Sequence, residues 1–254
     1  MKTWWWWEDA LDAILDRRCP GCAGRIARGR EVCDPCEARI PRLGTVLCLA
    51  CLHGDPRAEA LAEGACAKHG SSRLAIAGPH YEPTLERLLH AFKYEGAHRL
   101  TPWIAELLPE PPGKGTAAWR EYLLVPVPLH PARRARRGFD QALLLAEIAS
   151  KRWGIPVARL LARTRDHEPQ ARLDGECRRE NVRGAFRGVS PSLARGRPIL
   201  LVDDVVTTGS TLLEAASALD ADGPSWILAL TAAHGGAGGG DEDAPRRGAA
   251  QPKS

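Results

Sequence analysis

Two groups of residues in this chain have the types and spacing to do chemistry. The first is a set of thiols. Cys19-Pro-Gly-Cys22 and, ten residues on, Cys33-Asp-Pro-Cys36 form one pair of knuckles, and Cys48-Leu-Ala-Cys51 with Cys66-Ala-Lys-His69 repeats the format. A tight Cys-x-x-Cys turn aims two sulfurs at one point, and Zn2+ favours four soft ligands in a tetrahedron. The spacing therefore predicts one zinc site from Cys19, Cys22, Cys33 and Cys36, and a second from Cys48, Cys51, Cys66 and His69. His53 is a rival fourth ligand, though it stands only one residue beyond the Cys51 knuckle, and a second site without metal is the other alternative. A redox Cys-x-x-Cys competes with the first reading, but that chemistry needs a single pair at a strand-to-helix junction. With four protein ligands neither site keeps an open position, so both metals are expected to be structural. Cys177, alone in a polar stretch, is expected to be incidental.

The second group is acidic and hydroxylic. Ile199 to Val202 is an apolar run, and Asp203-Asp204-Val205-Val206-Thr207-Thr208-Gly209-Ser210-Thr211 follows it. The expected geometry is a buried strand ending in two adjacent carboxylates, then a tight turn into a helix. Ligands of open α/β sheets bind at the carboxyl ends of strands. A helix N-terminus with free N–H groups receives phosphate, and carboxylates accept hydrogen bonds from vicinal hydroxyls. One segment could thus hold a sugar by its diol and by its phosphate. The competing readings are an Asp-Asp pair that binds magnesium, as in receiver domains, and a Thr-Thr-Gly-Ser-Thr stretch that only caps a helix. A Gly-x-x-x-x-Gly-Lys pattern is absent, which argues against an ATPase of that kind.

These groups need a frame. The chain has 254 residues, 44% apolar and 26% charged, with a net charge of +4. That supports a sizeable core and does not by itself argue for nucleic acid or membrane. No apolar run reaches the eighteen or so residues of a spanning helix, so no stable membrane insertion is expected. The opening MKTWWWWEDALDAILD puts acids where an export signal has its apolar stretch, so a reducing, cytoplasmic location is expected, where paired thiols point to metal. Trp4, Trp7, Leu11, Ile14 and Leu15 recur at helical spacing; the four consecutive tryptophans could pack on the protein or meet a partner. Residues 17 to about 70 are poor in core formers and need a staple to fold. From residue 73 the pattern becomes strands alternating with helices: a strand over Arg73–Ala77, helices carrying Leu85–Phe92 and Leu100–Leu108, a loop over Pro109–Thr116, a strand over Tyr122–Val127, a helix over Gln141–Trp153, a strand over Pro198–Val202, a helix over Ser210–Leu219 and a strand over Trp226–Thr231. Such alternation predicts an α/β domain with a parallel sheet. Beyond His234 the Gly-rich stretch lacks apolar anchors and reads as a disordered tail.

The strand, acidic pair and Thr/Gly turn resemble the phosphoribosyltransferases, which bind phosphoribosyl pyrophosphate (PRPP) with such a segment. The remaining motifs narrow the likeness. Tyr81-Glu82, Phe92-Lys93-Tyr94-Glu95-Gly96, Val125-Pro126-Val127-Pro128-Leu129-His130, Arg137-Gly138-Phe139-Asp140-Gln141, Gln170-Ala171-Arg172-Leu173 and Arg178-Arg179-Glu180-Asn181-Val182-Arg183-Gly184-Ala185-Phe186 resemble the ComF family, in order, from about residue 10 to about 234. The resemblance implies a type I phosphoribosyltransferase-like α/β fold, a parallel sheet flanked by helices, preceded by a small double zinc ribbon. The organisation expected is an N-terminal helix over 1–16, the ribbon over 17–70, the α/β domain over 71–235 and a tail over 236–254. Asp140 stands where the family usually has Asn, a change that weakens a pyrophosphate contact or alters a turn.

Carried over residue by residue, the resemblance implies that Asp203 and Asp204 hold ribose hydroxyls and that Thr207, Thr208, Gly209, Ser210 and Thr211 wrap the 5′-phosphate. Pro128, Arg133, Arg137 and Gln141 fall where the family places its pyrophosphate loop. Four arginines there (Arg133, Arg134, Arg136 and Arg137) suit a ligand with several phosphate charges, or else form a solvated basic surface. Residues Arg163 to Phe186 match a mobile hood. The implied activity is phosphoribosyl transfer from PRPP, with Mg2+, to an unknown acceptor. Ammonia from glutamine is doubtful as that acceptor, because the first cysteine, Cys19, belongs to the ribbon. No general base can be assigned. The alternative is a non-catalytic competence factor acting on single-stranded DNA or a helicase partner, which the arginine-rich stretch from His130 to Arg197 suits although no aromatic stacking platform is evident.

Overall fold

The structure, a computed structural model, describes residues 17–52, 54–55, 66, 72–164 and 184–235. The readings placed on 1–16, His53, His69, residues 165–183 with Cys177, and 236–254 lie outside the described residues. In chain order the elements are α1 (Asp34–Glu37), β1 (Thr45–Cys48), β2 (Gly54–Asp55), β3 (Leu74–Ala77), α2 (Pro83–Tyr94), α3 (Thr101–Ala105), β4 (Leu123–Pro126), α4 (Pro131–Arg137), α5 (Gln141–Trp153), β5 (Leu161–Arg163), β6 (Phe186–Gly188), α6 (Pro191–Ala194), β7 (Pro198–Val206), α7 (Ser210–Asp220) and β8 (Trp226–His234).

Six strands form one sheet in the order β2-β1-β3-β8-β7-β4. The β3-β8, β8-β7 and β7-β4 pairs are parallel, and β1 joins β3 antiparallel, Val46 opposite Ile76. The expected parallel sheet is present, and it is extended by two antiparallel strands from the cysteine-rich segment. β5 and β6 form a separate antiparallel pair.

Side-chain alternation sorts the core into two layers. On one face Leu74, Ile76, Leu200, Val202, Leu228 and Leu230 pack with Leu85, Leu88, Leu89 and Phe92 of α2, Ile104 of α3 and Leu145 of α5. On the other, Ala75, Ile199, Leu201, Ile227 and Ala229 pack with Leu212, Ala215 and Leu219 of α7 and Phe186 of β6. Burying each large side chain contributes roughly 1.5–3 kcal/mol relative to exposure.

Two expectations change in extent. The helix read over Leu100–Leu108 shortens to one 3-10 turn (His98–Leu100) and α3, although Leu107 and Leu108 stay buried. The strand read as ending at Val202 continues through both aspartates to Val206, because Asp203, Val205 and Val206 keep register with Thr231, Ala233 and His234 of the equally extended β8. Backbone pairing, not side-chain polarity, sets where a strand stops.

Candidate functional site

The carboxyl half of β7 enters a cavity of about 220 Å3. Asp204 continues the Leu200–Val202 series toward the α2 layer, and there Lys93 in the last turn of α2 meets it, Nζ to Oδ2 at 2.8 Å. Burial alone would lower Lys93; the Asp204 carboxylate outweighs it and holds the ammonium above its ordinary value. Asp203, the other member of the pair, accepts a hydrogen bond from the Asp204 N–H at 2.8 Å on Oδ1. It keeps an opening to the cavity yet sits deep enough that desolvation, with the neighbouring Asp204 carboxylate second, pushes it up to about 8. Asp203 therefore holds a proton more readily than an ordinary aspartate does, and it sits beside the Lys93–Asp204 ion pair.

The opposite wall comes from the loop after β4 and the two helices it feeds. Pro128, Leu129, Arg133, Arg137 and Gln141 line the cavity, and Thr211 closes it from α7. The stretch expected as a loop is helical from Pro131 to Arg137, and that helix divides its arginines. Arg133 and Arg137, one turn apart, reach the cavity half-buried, and Arg134 and Arg136 are exposed. The guanidinium of Arg137 donates to the Tyr94 hydroxyl at 2.9 Å and lies over its ring, 4.7 Å from the centroid. Gln141 is 2% exposed, and among the described residues its Nε2 has no hydrogen-bond partner. A buried amide donor without a partner is costly, and this one belongs to a residue lining a polar cavity. Asp140 does not line the cavity. It is buried, caps α5 by accepting from Leu143 N–H at 3.2 Å, and accepts from Leu129 N–H at 3.2 Å. Both of these Asp140 contacts are thus to backbone, one at the start of α5 and one in the loop that lines the cavity.

The Thr207–Thr211 turn leads straight into α7. Gly209 is its N-cap at φ 72°, a left-handed conformation that glycine adopts without strain, and Thr208 Oγ1 and Ser210 Oγ are 3.0 Å apart. Thr207 is exposed, Thr208 half-buried, Gly209 and Ser210 buried. The first N–H groups of α7 have no partner within the helix, and this is the arrangement that receives an anion. A Cβ on Gly209 would lie 2.3 Å from the Leu49 carbonyl oxygen, so the turn rests directly on the Cys48–Cys51 knuckle.

The predicted cysteines gather as spaced. The sulfurs of Cys19, Cys22, Cys33 and Cys36 lie within 4.8 Å of one another, as do those of Cys48, Cys51 and Cys66. Cys22 and Cys33 are 3.5 Å apart, Cys51 and Cys66 4.0 Å. Zinc–thiolate bonds of about 2.3 Å put tetrahedral ligands roughly 3.8 Å from each other, so both clusters fit that ion. The Gly24 N–H, with the neighbouring thiols, lowers Cys22 to about 7, whereas burial raises Cys33, Cys36 and Cys48. A bound cation would remove that penalty by favouring thiolates. The first cluster also docks on α2, where Arg87 Nε donates to the Gly21 carbonyl at 2.5 Å.

Two charged cavity residues were not among the predicted site residues. Lys93 lies in the Phe92-Lys93-Tyr94 motif, and its signal was its phase: Leu85, Leu89 and Lys93 fall at i, i+4, i+8, so a lysine continues the apolar stripe. Arg163, at the end of β5 and stacked on Phe186 at 5.2 Å, is placed by a strand pair that local pattern does not reveal. A larger cavity, about 600 Å3, lies at the other end of the sheet between Leu74, Trp226 and Leu228, away from every predicted site residue.

Residues 140–249 match the phosphoribosyl transferase domain. The chain is 31% identical over 207 residues to competence protein F of Haemophilus influenzae, covering 78% of this chain and 88% of that protein. It is 31% identical over 227 residues to DNA utilization protein YhgH of Escherichia coli, covering 84% of this chain and 96% of the other. Against competence protein ComFC of Bacillus subtilis the identity is 36% over 101 residues, 39% of each chain. Among the described residues no helix is long and apolar enough to cross a membrane.

Proposed function

The chain belongs to the ComF/YhgH family, with its phosphoribosyltransferase domain, and from that premise we propose that the cavity at the end of β7 binds Mg-PRPP or a related ribose phosphate. One observation carries the reading: a single 220 Å3 cavity is lined by Asp203, Asp204 and Thr211 on one side and by Arg133, Arg137 and Gln141 on the other. The acids suit a ribose diol, the turn at the start of α7 suits the 5′-phosphate, and the arginines with the Gln141 amide suit the pyrophosphate.

Transfer at ribose C1 breaks the bond to pyrophosphate as an acceptor atom forms its own. Charge collects on the leaving pyrophosphate, where Arg133 and Arg137 would stabilise it, and positive character on the ring, which Asp203 and Asp204 would position. Mg2+ brought in with the ligand supplies further neutralisation of that leaving group. Among the described residues lining the cavity, Asp203 and Asp204 are the carboxylates that could hold such an ion, and Asp204 is paired with Lys93.

Calorimetry with Mg-PRPP on the wild type and on Asp203→Asn/Asp204→Asn tests the pocket. Heat of binding is expected for the first and its loss for the second. A wild type that binds neither PRPP nor ribose 5-phosphate would remove the reading. Release of pyrophosphate in the presence of nucleobases and amines separates a transferase from a binding protein. Metal analysis is expected to give about two zinc ions per chain, the second held by Cys48, Cys51, Cys66 and His69.

The names of the relatives, competence and DNA utilization, favour a second reading in which the pocket serves a protein that handles single-stranded DNA or a helicase partner. Arg134 and Arg136, exposed and outside the cavity lining, are its supporting observation. Binding of single-stranded oligonucleotide that weakens steeply with salt, and weakens further in Arg134→Ala/Arg136→Ala, is the expected result. No affinity at low salt would rule it out.

A further inference from the structure

We propose that the knuckle Cys48-Leu49-Ala50-Cys51 is a metal-set brace for the phosphate turn, so that metal at Cys48, Cys51 and Cys66 and a phosphate ester at Thr207–Thr211 bind cooperatively. The proposal rests on the ribose-phosphate reading and adds a positioning residue, Leu49, that lies outside the cavity.

The contact is backbone against backbone. A Cβ on Gly209 would stand 2.3 Å from Leu49 O, 3.1 Å from its carbonyl carbon and 3.3 Å from its Cα, so only glycine lets the two chains close to this distance. The Leu49 side chain is 2% exposed and shares one core cluster with Val206 and Leu212, the residues that enter and leave the turn. Leu49 therefore touches the turn at its apex through its carbonyl and packs in the layer of both its flanks. A shift of Leu49 has to move Gly209, and Gly209 starts the helix whose first N–H groups face the phosphate.

What holds Leu49 is the knuckle. Its N–H donates to Arg73 O at 2.9 Å, and Leu52, at φ 55°, donates back to Cys48 O at 2.7 Å. A further tie runs through sulfur: Cys48 and Cys51 flank Leu49 and Ala50, and Cys66 approaches them from fifteen residues beyond Cys51. Metal on these three sulfurs fixes both ends of the turn that carries Leu49. Without it, the turn keeps its backbone hydrogen bonds and the packing of its thiols but loses the link that joins the three sulfurs. Coupling between two binding sites is reciprocal, so a ribose phosphate must tighten the metal by the factor that the metal tightens the ribose phosphate.

The full-length chain carrying zinc at both clusters is compared with Cys51→Ser/Cys66→Ser. The variant should lose one metal ion, bind ribose 5-phosphate about tenfold more weakly, and bind Mg-pyrophosphate, which engages Arg133 and Arg137, as the wild type does. Cys66→His, which keeps a zinc ligand, should restore the ribose 5-phosphate affinity. A general loss of structure would weaken both ligands together and would overturn the proposal. A second arm uses the wild type alone. Ribose 5-phosphate should slow release to a chelator of one of the two metal ions, about fivefold or more. Hydrogen exchange at residues 207–212 should rise when that ion is withdrawn. If the wild type binds no ribose phosphate, the pocket reading fails, yet the exchange measurement still decides the brace. Exchange at 207–212 that ignores the metal overturns it.

Discussion

Lys93 Nζ lies 2.8 Å from Asp204 Oδ2, joining the last turn of α2 to the acidic end of β7 with both side chains mostly buried. Removing one partner of such a pair leaves an uncompensated charge, a loss of about 3 kcal/mol. Lys93→Met and Asp204→Asn are each expected to destabilise by that order. The double variant should recover most of the loss, because two neutral side chains then face each other. Urea denaturation of the four proteins closes the cycle. Additive losses would mean that the pair is not a coupled unit. Mg-PRPP binding should stay absent in the double variant, since stability returns but the ribose acceptor does not.

Asp203 gives the fold a pH dependence of definite sign. Its folded value of about 8 stands well above the ordinary aspartate value near 4. Between those values the folded protein keeps a proton that the unfolded chain has released. Stability is then lost as pH rises through this window and levels off above about 8. Asp203→Asn, which stays neutral, should be more stable than the wild type at pH 9 and should lose the slope. Melting temperatures at pH 5, 7 and 9 measure this, at about 2–4 °C per kcal/mol for a chain of this size. A difference between the two proteins that does not change with pH would show that Asp203 ionises normally.

Gly209→Ala should be severe for two separate reasons. Its φ of 72° costs an L-residue roughly 1–2 kcal/mol, and its Cβ would overlap the Leu49 carbonyl oxygen at 2.3 Å. The variant is expected to lose about 3 kcal/mol of stability or to displace the turn, with ribose 5-phosphate affinity falling in either case. Gly138→Ala is the comparison: that residue has φ 82° but nothing within 4 Å of its added Cβ, so it should show the backbone cost alone. Equal losses in the two variants would mean that the Leu49 contact contributes nothing.

Much of this site is legible in the residues themselves. Knuckle spacing brings the cysteine sulfurs together because each turn is local, and the apolar run before Asp203 marks a buried strand for the same reason. What escapes local pattern is set by partners distant in the chain. β7 runs past its apolar residues because β8 offers backbone groups to pair with, and β1 joins the main sheet because β3 does. Lys93 shows the limit from the other side. Its position on the buried stripe of α2 signals an unusual lysine, but only the tertiary fold supplies Asp204 as the reason. Arg133 and Arg137 part from Arg134 and Arg136 once the segment is helical, and the proline-rich sequence before it reads equally well as loop.

Asp140 is the position where this chain departs from the expected Asn, and its contacts say which residue suits it. Both carboxylate oxygens accept from backbone N–H groups, Oδ1 from Leu143 at the start of α5 and Oδ2 from Leu129 in the loop that lines the cavity. An asparagine has one acceptor oxygen, so in this geometry its amide nitrogen would face a buried N–H donor. Asp140→Asn should therefore cost about 1–2 kcal/mol, and Asp140→Ala more, by losing the helix cap as well. The functional effect follows from which bond breaks. If the oxygen stays on Leu143, Leu129 loses its tether, and the loop carrying Pro128 toward Arg133 loosens. Mg-pyrophosphate affinity should then fall severalfold while ribose 5-phosphate affinity, which depends on the turn at Gly209, stays as it was. Calorimetry with the two ligands separates these, and urea denaturation gives the stability. An asparagine variant as stable as the wild type, with both affinities intact, would mean that the loop is held by something other than this carboxylate.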